Sequence, residues 1–359
     1  MTTRVLIMAG GTGGHVFPAL AVAEELKNRT VDVFWMGTEQ GIESKLVPAA
    51  GFPIKYIQVQ GLRGNGLLGW ILAPFKLVRA VIEALRVIKQ IKPDVVLGLG
   101  GFASGPGGLA AKLTAKPLVI HEQNAIPGLT NKILSHLAKK VMEGFSQSFP
   151  EKVKADWVGN PVRASIENLA EPQQRFKDRV GPLRLLVLGG SLGARALNTF
   201  IPQALALMDE KQRPQIKHQC GQKHIEECRQ AYAATEVDAE ITAFIDDMAV
   251  SYAWADLVIC RAGALTIAEI AATGVAALLV PYPYAVDDHQ THNAAVLVNV
   301  GAAKLIQEKV LTAEMLATEI KRLNDDREQL LTMAKAARTQ AKIGTASYMS
   351  DICMELAHA

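Results

Sequence analysis

The sequence predicts an α/β protein made of two Rossmann-like, doubly wound domains with a ligand cleft between them. Three observations predict it. Arg4-Val5-Leu6-Ile7-Met8-Ala9 is almost wholly apolar, as a strand buried on both faces of a parallel sheet requires, and a glycine-rich turn and a helically spaced stretch at 17–28 follow it. Apolar runs and helical stretches then keep alternating. The pattern also restarts: Arg184-Leu185-Leu186-Val187-Leu188-Gly189-Gly190 echoes the opening, with Arg4 and Arg184, and Gly10 and Gly190, each 180 positions apart. A chain of 359 residues suits two domains better than one.

Taken in order, strands are expected at 4–9, 31–36, 54–59, 94–99 and 118–121. The first ends in Gly10-Gly11-Thr12-Gly13-Gly14-His15, the fourth in a second glycine turn, 98–108, and the fifth in His121-Glu122-Gln123-Asn124. Between them, 74–92 reads as an amphipathic helix. Lys76, Arg79, Glu83, Arg86 and Gln90 share a wet face, and Leu77, Val78, Val81, Leu85 and Ile88 a core face. Ahead of it Leu67, Leu68, Trp70, Ile71 and Phe75 crowd a glycine-rich loop beside Lys76 and Arg79, which fits shallow docking on an anionic membrane surface. Asn160-Pro161-Val162-Arg163 and the polar segment to Pro182 read as a linker, giving domains at 1–163 and 164–340.

In the second half, the runs 257–260 and 276–280 enclose Arg261-Ala262-Gly263-Ala264 and a helical stretch. A strand, a glycine turn and a helix N-terminus make a place for phosphate, because the first turn offers unpaired N–H groups and a partial positive charge. Glu269, a turn or more inside, can accept two vicinal sugar hydroxyls, and Gln290 can donate to or accept from another. An ordinary βαβ unit with a solvated Glu and Gln is the plainer reading of the same residues.

Composition excludes several classes. Hydrophobic content of 49% and charge of 20% describe a globular protein with ample core, and no run of about 18 apolar residues offers a membrane span. The short apolar run at the start reads as a first strand and not a signal peptide. Cys220, Cys228, Cys260 and Cys353 have no zinc spacing and fit reduced thiols in a cytoplasm. Residues 1–163 carry 19 Lys and Arg against 11 Asp and Glu, and 164–359 carry 19 against 24, so an anionic partner is expected on the first half. Neither leading turn spells G-x-G-x-x-G: Val16 fills the third site of one, and two residues separate Gly190 from Gly193 in the other. A dinucleotide oxidoreductase is therefore disfavoured. The P-loop and the zinc and Asp-x-Asp motifs are absent, so no cofactor or catalytic metal is expected.

The chain resembles the MurG family, membrane-associated N-acetylglucosaminyltransferases of peptidoglycan synthesis with the GT-B fold. The resemblance rests on Ala9-Gly10-Gly11-Thr12-Gly13-Gly14-His15, Gly98-Leu99-Gly100-Gly101-Phe102-Ala103-Ser104-Gly105-Pro106, His121-Glu122-Gln123-Asn124, Gly159-Asn160-Pro161-Val162-Arg163, Gly189-Gly190-Ser191-Leu192-Gly193-Ala194-Arg195 and Arg261-Ala262-Gly263-Ala264-Leu265-Thr266. Leu192 and Thr291, the latter next to Gln290, are departures, since some relatives carry Gln at each of these two positions. The resemblance implies inverting transfer of N-acetylglucosamine from UDP-N-acetylglucosamine to the 4-hydroxyl of the muramoyl sugar of lipid I, giving lipid II. It implies a peripheral protein on the cytoplasmic face of the bacterial inner membrane, with wall-synthesis and division proteins as partners and no nucleic acid. It also implies that a last helix, about 341–359, returns to the first domain.

By the same resemblance the second domain holds the donor. Ser191 would contact the diphosphate, Ile245 the uracil, and Arg163 the nucleotide from the hinge. Ala264, Leu265, Thr266, Ile267 and Ala268 would line the phosphate site, Glu269 would bind the ribose and Gln290 the sugar. Thr12, Gly13, Gly14 and Asn124 would approach the donor from the first domain. Gly10, Gly11, Gly100, Gly101, Ser104 and Gly105 would cradle the acceptor diphosphate, and Leu68, Trp70, Ile71, Phe75, Lys76 and Arg79 would meet the membrane. An inverting transfer needs a base. His15 suits because imidazole as a side-chain type can exchange a proton near physiological pH and because of its place on the turn, with a capping or phosphate-binding role as the alternative. Glu122 is the rival base, or else a partner orienting His15 or Asn124. Another UDP-sugar transferase, a UDP-N-acetylglucosamine epimerase and a non-catalytic scaffold are the remaining readings.

Overall fold

The computed structural model describes residues 2–59, 66–190 and 193–359, with side chains for all but 66–73 and Val286. The chain divides into two compact units, Met1–Arg163 with Gly344–Ala359, and Ala164–Ile343.

The first unit runs β1 (Arg4–Met8), α1 (Gly13–Asn28), β2 (Asp32–Gly37), α2 (Glu43–Ala49), β3 (Ile54–Tyr56), α3 (Gly66–Ile91), β4 (Val95–Gly98), α4 (Ser104–Leu113), β5 (Leu118–Glu122), α5 (Leu129–Leu134), β6 (Lys140–Glu143) and β7 (Asp156–Trp157). Its seven strands are all parallel, in the order 3-2-1-4-5-6-7. Because both faces of the sheet are covered, Val5, Leu6, Ile7 and Met8 of β1 are wholly buried.

The second unit runs α6 (Ala164–Glu167), α7 (Pro172–Phe176), β8 (Arg184–Leu188), α8 (Arg195–Ala206), β9 (Gln215–Gln219), α9 (Ile225–Ala234), β10 (Glu240–Thr242), α10 (Met248–Trp254), β11 (Leu257–Cys260), α11 (Ala264–Thr273), β12 (Ala276–Leu279), α12 (His289–Val298), β13 (Ala303–Leu305), α13 (Ala313–Asp325) and α14 (Arg327–Thr339). Its parallel sheet, β10-β9-β8-β11-β12-β13, repeats the 3-2-1-4-5-6 order. α15 (Thr345–His358) belongs to the first unit, where it packs on α1.

Two expectations need correction. The segment after Arg163 is no plain linker. Arg175 donates to the carbonyls of Tyr252, Thr273 and Gly274, at the C-terminal ends of α10 and α11. Arg179 donates to those of Ala253 and Trp254 and pairs with buried Asp256. Cations at two helix C-termini clamp the segment onto the second unit, and burial pulls Arg175 down to about 10. Helix α3 is the other correction. Among residues 74–91, its apolar face is exposed up to Val78 and buried from Ala80 onward. Phe75 is 73% exposed, and Leu77, Val78 and Ile82 are exposed with it.

Each unit also encloses a neutral histidine. His121 and His218 are fully buried, and burial lowers them from 6.5 to about 4 and about 3. His218 is fully satisfied, by Tyr232 Oη at 2.9 Å and Asn198 Oδ1 at 3.0 Å. Such a histidine takes its proton first in the unfolded chain, so the stability it contributes is whole above pH 6.5 and declines as the pH falls toward the folded value. Chemical denaturation between pH 6.5 and 5, above the usual carboxylate range, is expected to show stability declining with acidification. Flat stability over that window would contradict the neutral assignments.

Candidate active site

In a doubly wound sheet, ligands bind beyond the carboxyl ends of the strands where the strand order reverses. In the first unit that point lies between β1 and β4, and the turns after these strands meet there. Gly101 has φ +86°, and a Cβ on it would stand 2.4 Å from the Gly10 carbonyl oxygen, so the two turns touch backbone to backbone. The amides of Gly13 and Gly14 precede the first hydrogen bonds of α1, which run from His15 and Val16 to the Thr12 carbonyl. The His15 ring lies against Gly100, where a Cβ would come within 2.7 Å of Nδ1. Nδ1 itself is 3.0 Å from Gln123 Oε1.

Beneath the turn sits Glu43, fully buried, a residue the sequence reading passed over. Its carboxylate accepts from the Gly11 amide at 2.8 Å, the Thr38 amide at 2.9 Å and the Thr38 hydroxyl at 2.7 Å. Arg163 lies 5.9 Å over the Phe17 ring on α1.

Two residues expected in the site of this unit have their side chains engaged within the fold. Glu122 is 2% exposed, and both its oxygens are engaged. Oε1 accepts from the Asn124 backbone and side-chain amides at 3.0 and 3.1 Å, and Oε2 from Gly128 N at 3.1 Å and Asn131 Nδ2 at 2.8 Å. A carboxylate occupied by four donors orients Asn124 and its loop and is badly placed to take a substrate proton. Ser104 is fully buried, with its hydroxyl against the carbonyls of Met8 and Gly100, so its side chain fastens the turn from inside. Gly105 follows it at the start of α4.

In the second unit the strand order reverses between β8 and β11. After β11, α11 starts without a side-chain cap, and its first hydrogen bond is Ile267 N to the Gly263 carbonyl, 2.9 Å. The amides of Ala264, Leu265 and Thr266 thus stand ahead of the helix's own bonding. Ile267 spends its amide inside the helix and its side chain is 1% exposed; Ala268 follows inside the helix. Glu269 is 7% exposed and held by Tyr252, whose hydroxyl donates to Oε2 at 3.0 Å.

The turn before α11 is fixed from both sides. Gln290 Oε1 accepts from Ala262 N at 3.2 Å and Tyr282 N at 2.9 Å, and Asn293 donates to the Ala262 carbonyl. Arg261 donates to the carbonyls of Val280 and Pro281 and pairs with Glu308. With Oε1 so engaged, the Nε2 end of Gln290 is the donor end. After β8, Gly190 has φ +80°, and Gln219 grips it at both ends, accepting from its N at 3.0 Å and donating to its O at 3.1 Å. The second amide hydrogen of Gln219 goes to the Ala243 carbonyl, two residues before Ile245. Ser191 and Leu192 lie outside the described residues, as do the side chains of Leu67, Leu68, Trp70 and Ile71. Among the described residues no three His, Cys, Asp or Glu side chains form a group that could hold a metal ion.

Two parallel sheets of this order, each with glycine turns and uncapped helix N-termini at its reversal point, are the GT-B fold of glycosyltransferases. The glycosyltransferase family 28 N-terminal domain matches residues 5–143, and the family 28 C-terminal domain residues 184–347. A relative from Nitrosococcus oceani, the UDP-N-acetylglucosamine--N-acetylmuramyl-(pentapeptide) pyrophosphoryl-undecaprenol N-acetylglucosamine transferase, is 56% identical over 99% of both chains. The protein of the same name from Marinobacter nauticus is 51% identical over 99% of this chain and 98% of its own. The crystal structure of Acinetobacter baumannii MurG superposes with a TM-score of 0.83 at 43% identity, covering 98% of this chain and 99% of that one. The chain belongs to the MurG family.

Removing Glu43 strands three buried donors under the Gly10–Gly11 turn. Glu43→Ala is expected to cost roughly 3 kcal/mol or more of stability and Glu43→Gln about 1–3 kcal/mol, measured by denaturant unfolding. A Glu43→Ala protein as stable as the parent would show that the carboxylate does not hold the turn.

Proposed function

We propose that this protein transfers N-acetylglucosamine from UDP-N-acetylglucosamine to the 4-hydroxyl of the N-acetylmuramoyl unit of lipid I, releasing UDP and forming lipid II for peptidoglycan synthesis. The observation that carries this is identity of 56% along the whole chain to a relative whose name states the transfer. Another lipid acceptor, or epimerisation of the donor, would rest on fold alone.

In this reading the second unit takes the donor. The amides of Ala264, Leu265 and Thr266 meet the diphosphate, Glu269 accepts from the ribose hydroxyls, and Gln290 donates to the sugar. Ser191 and Ile245 serve the diphosphate and the uracil. The first unit brings the acceptor, with its diphosphate against Gly10, Gly11, Gly100 and Gly101. Thr12, Gly13, Gly14, Asn124 and Arg163 also serve the donor. His15 takes the proton of the 4-hydroxyl as its oxygen bonds to the anomeric carbon from the face opposite UDP. The bond from that carbon to the diphosphate oxygen breaks, and UDP leaves with the electron pair. Charge growing on UDP is met by amide dipoles already in place, without a dedicated metal.

The acceptor is a lipid, and the first unit has a surface to suit. Phe75, Leu77, Val78 and Ile82 on α3, Leu109 and Leu113 on α4, and Leu129 and Ile133 on α5 are exposed on helices that pack in sequence, α3 on α4 and α4 on α5. Lys76, Arg79, Lys112 and Lys132 are exposed among them. Apolar side chains rimmed by cations suit docking on an anionic bilayer, at the cytoplasmic face of the bacterial membrane. Among the described residues no helix is long and apolar enough to cross one.

UDP release from UDP-N-acetylglucosamine is expected to require a lipid I analogue; release that ignores the acceptor, or none at all, overturns the reading. His15→Ala is expected to lower kcat by about 10²–10⁴ while leaving the donor KM near its parent value, and near-normal turnover removes His15 from the base role. Phe75→Ser with Leu129→Ser should reduce co-sedimentation with anionic vesicles at an unchanged Tm, and undiminished co-sedimentation tells against this docking face.

A further inference from the structure

We infer that Gln123, itself oriented by Leu99 and His121, sets the tautomer of His15, so that Nδ1 carries the proton and Nε2 is left to act as the base. Gln123 is a positioning residue in this scheme. The kinetic consequence rests on the proposed role of His15; the tautomer does not.

The assignment follows from groups that have no choice. The carbonyl of Leu99 can only accept, and it lies 2.7 Å from Gln123 Nε2. That end of the side chain must therefore be the NH2, and Oε1 must be the atom 3.0 Å from His15 Nδ1. An amide oxygen can only accept, so Nδ1 bears the hydrogen.

His121 gives the same direction independently. Its Nε2 is 2.8 Å from the Gly159 carbonyl, so Nε2 carries a proton. Burial keeps the ring neutral, with its pKa at about 4. Its Nδ1 is then a bare acceptor, and it faces Gln123 Nε2 at 3.3 Å. The hydrogen bonds run one way: His15 donates to Gln123, Gln123 to Leu99 and His121, and His121 to Gly159. Turning the Gln123 amide over would set its oxygen against the Leu99 carbonyl and the His121 lone pair. Gln123 is 1% exposed, so no solvent would relieve that clash. The other ionisable groups near the pair are Glu122, whose charge acts on His121, and Glu43, beneath the Gly11 turn.

The test uses the full chain with 15N-labelled histidine, the His15 signals being those lost in His15→Asn. The expected spectrum has a protonated Nδ1 and a lone-pair Nε2 on His15. Gln123→Met, close in shape but without an acceptor, is expected to mix the tautomers. It should also lower kcat by roughly tenfold to a hundredfold, with the donor KM nearly unchanged. Gln123→Glu restores only the acceptor facing His15. It should recover the tautomer and part of kcat, and move the acid limb of the kcat profile to higher pH, because a carboxylate favours the charged imidazole. That variant carries the test alone if Gln123→Met does not fold. A merely structural Gln123 predicts that both variants fail alike, since Glu also lacks the donors. A protonated Nε2 in the parent protein, a Gln123→Met protein with parental tautomer and kcat, or a Gln123→Glu profile with no shift would overturn the inference. If His15→Ala stays active while the tautomer reads as expected, the base role fails and the tautomer assignment stands.

Discussion

A glycine-rich turn has no side chain with which to hold itself, and the architecture of this protein follows from how that deficit is met. At the first unit's reversal point two backbones come close to each other, at Gly10 and Gly101, which selects glycine and removes a local anchor. A buried or half-buried polar side chain on an adjoining strand or helix then supplies the missing bonds. Glu43 holds Gly11, Gln219 holds Gly190 at both its N–H and its carbonyl, Gln290 and Asn293 hold Ala262, and Glu122 holds Asn124 and Gly128. Each anchor is attached to a neighbouring strand or helix, so the turns inherit the rigidity of the sheets.

Rigidity matters because of what the turns present. Amides that precede the first hydrogen bond of a helix are polar groups without internal partners, and in water they would be solvated and mobile. Fixed by an anchor, they are donors aimed before the ligand arrives, and no reorganisation is needed as charge develops on a departing diphosphate. The same logic explains why so many expected ligand contacts proved to be supports. Glu122 and Ser104 have suitable chemistry, yet a side chain that braces a turn from inside is unavailable outside it. Function in the proposed reaction is left to backbone amides, to Glu269 and Gln290 with one end each already fixed, and to His15.

The division between what the sequence disclosed and what it did not follows the range of the interactions. Apolar runs, glycine turns and helical spacing are local, so the strand–turn–helix units at 4–28, 184–206 and 257–273 and the restart of the pattern were legible. So was Glu269, because its distance from Gly263 along a helix is a local quantity. Three of the anchors act across 28 or more positions, Gln219 on Gly190, Glu43 on Gly11 and Gln290 on Ala262, and nothing in a linear reading pairs them. A one-residue glance at Glu122 could not say which way its carboxylate turned. Helix α3 misled for a different reason. Its periodicity is real, but periodicity reports an apolar face and not what covers it, and on that face Leu77 and Val78 are exposed. The segment after Arg163 looked like a linker because it is polar, and the helix-end carbonyls that receive Arg175 and Arg179 lie 74 or more positions away.

Charge completes the account. Residues 1–163 carry an excess of cations, whereas Ala164–Ile343 carries 19 Lys and Arg against 22 Asp and Glu. A unit proposed to bind a nucleotide diphosphate is thus, in net charge, slightly repulsive to it. Fields of that kind are screened within about 8 Å at physiological ionic strength, while helix-terminal amides act at hydrogen-bond distance. Local dipoles can therefore hold the diphosphate against the net field, and once the sugar has gone that field does nothing to detain UDP. The cationic excess of the first unit has the opposite use. In the docking proposed above, an anionic bilayer and an anionic lipid acceptor are extended targets, and the exposed lysines and arginines beside the apolar faces of α3, α4 and α5 would gain from every lipid headgroup within a Debye length. One unit is suited to stay where its substrate is embedded, and the other to take up and let go of a soluble one.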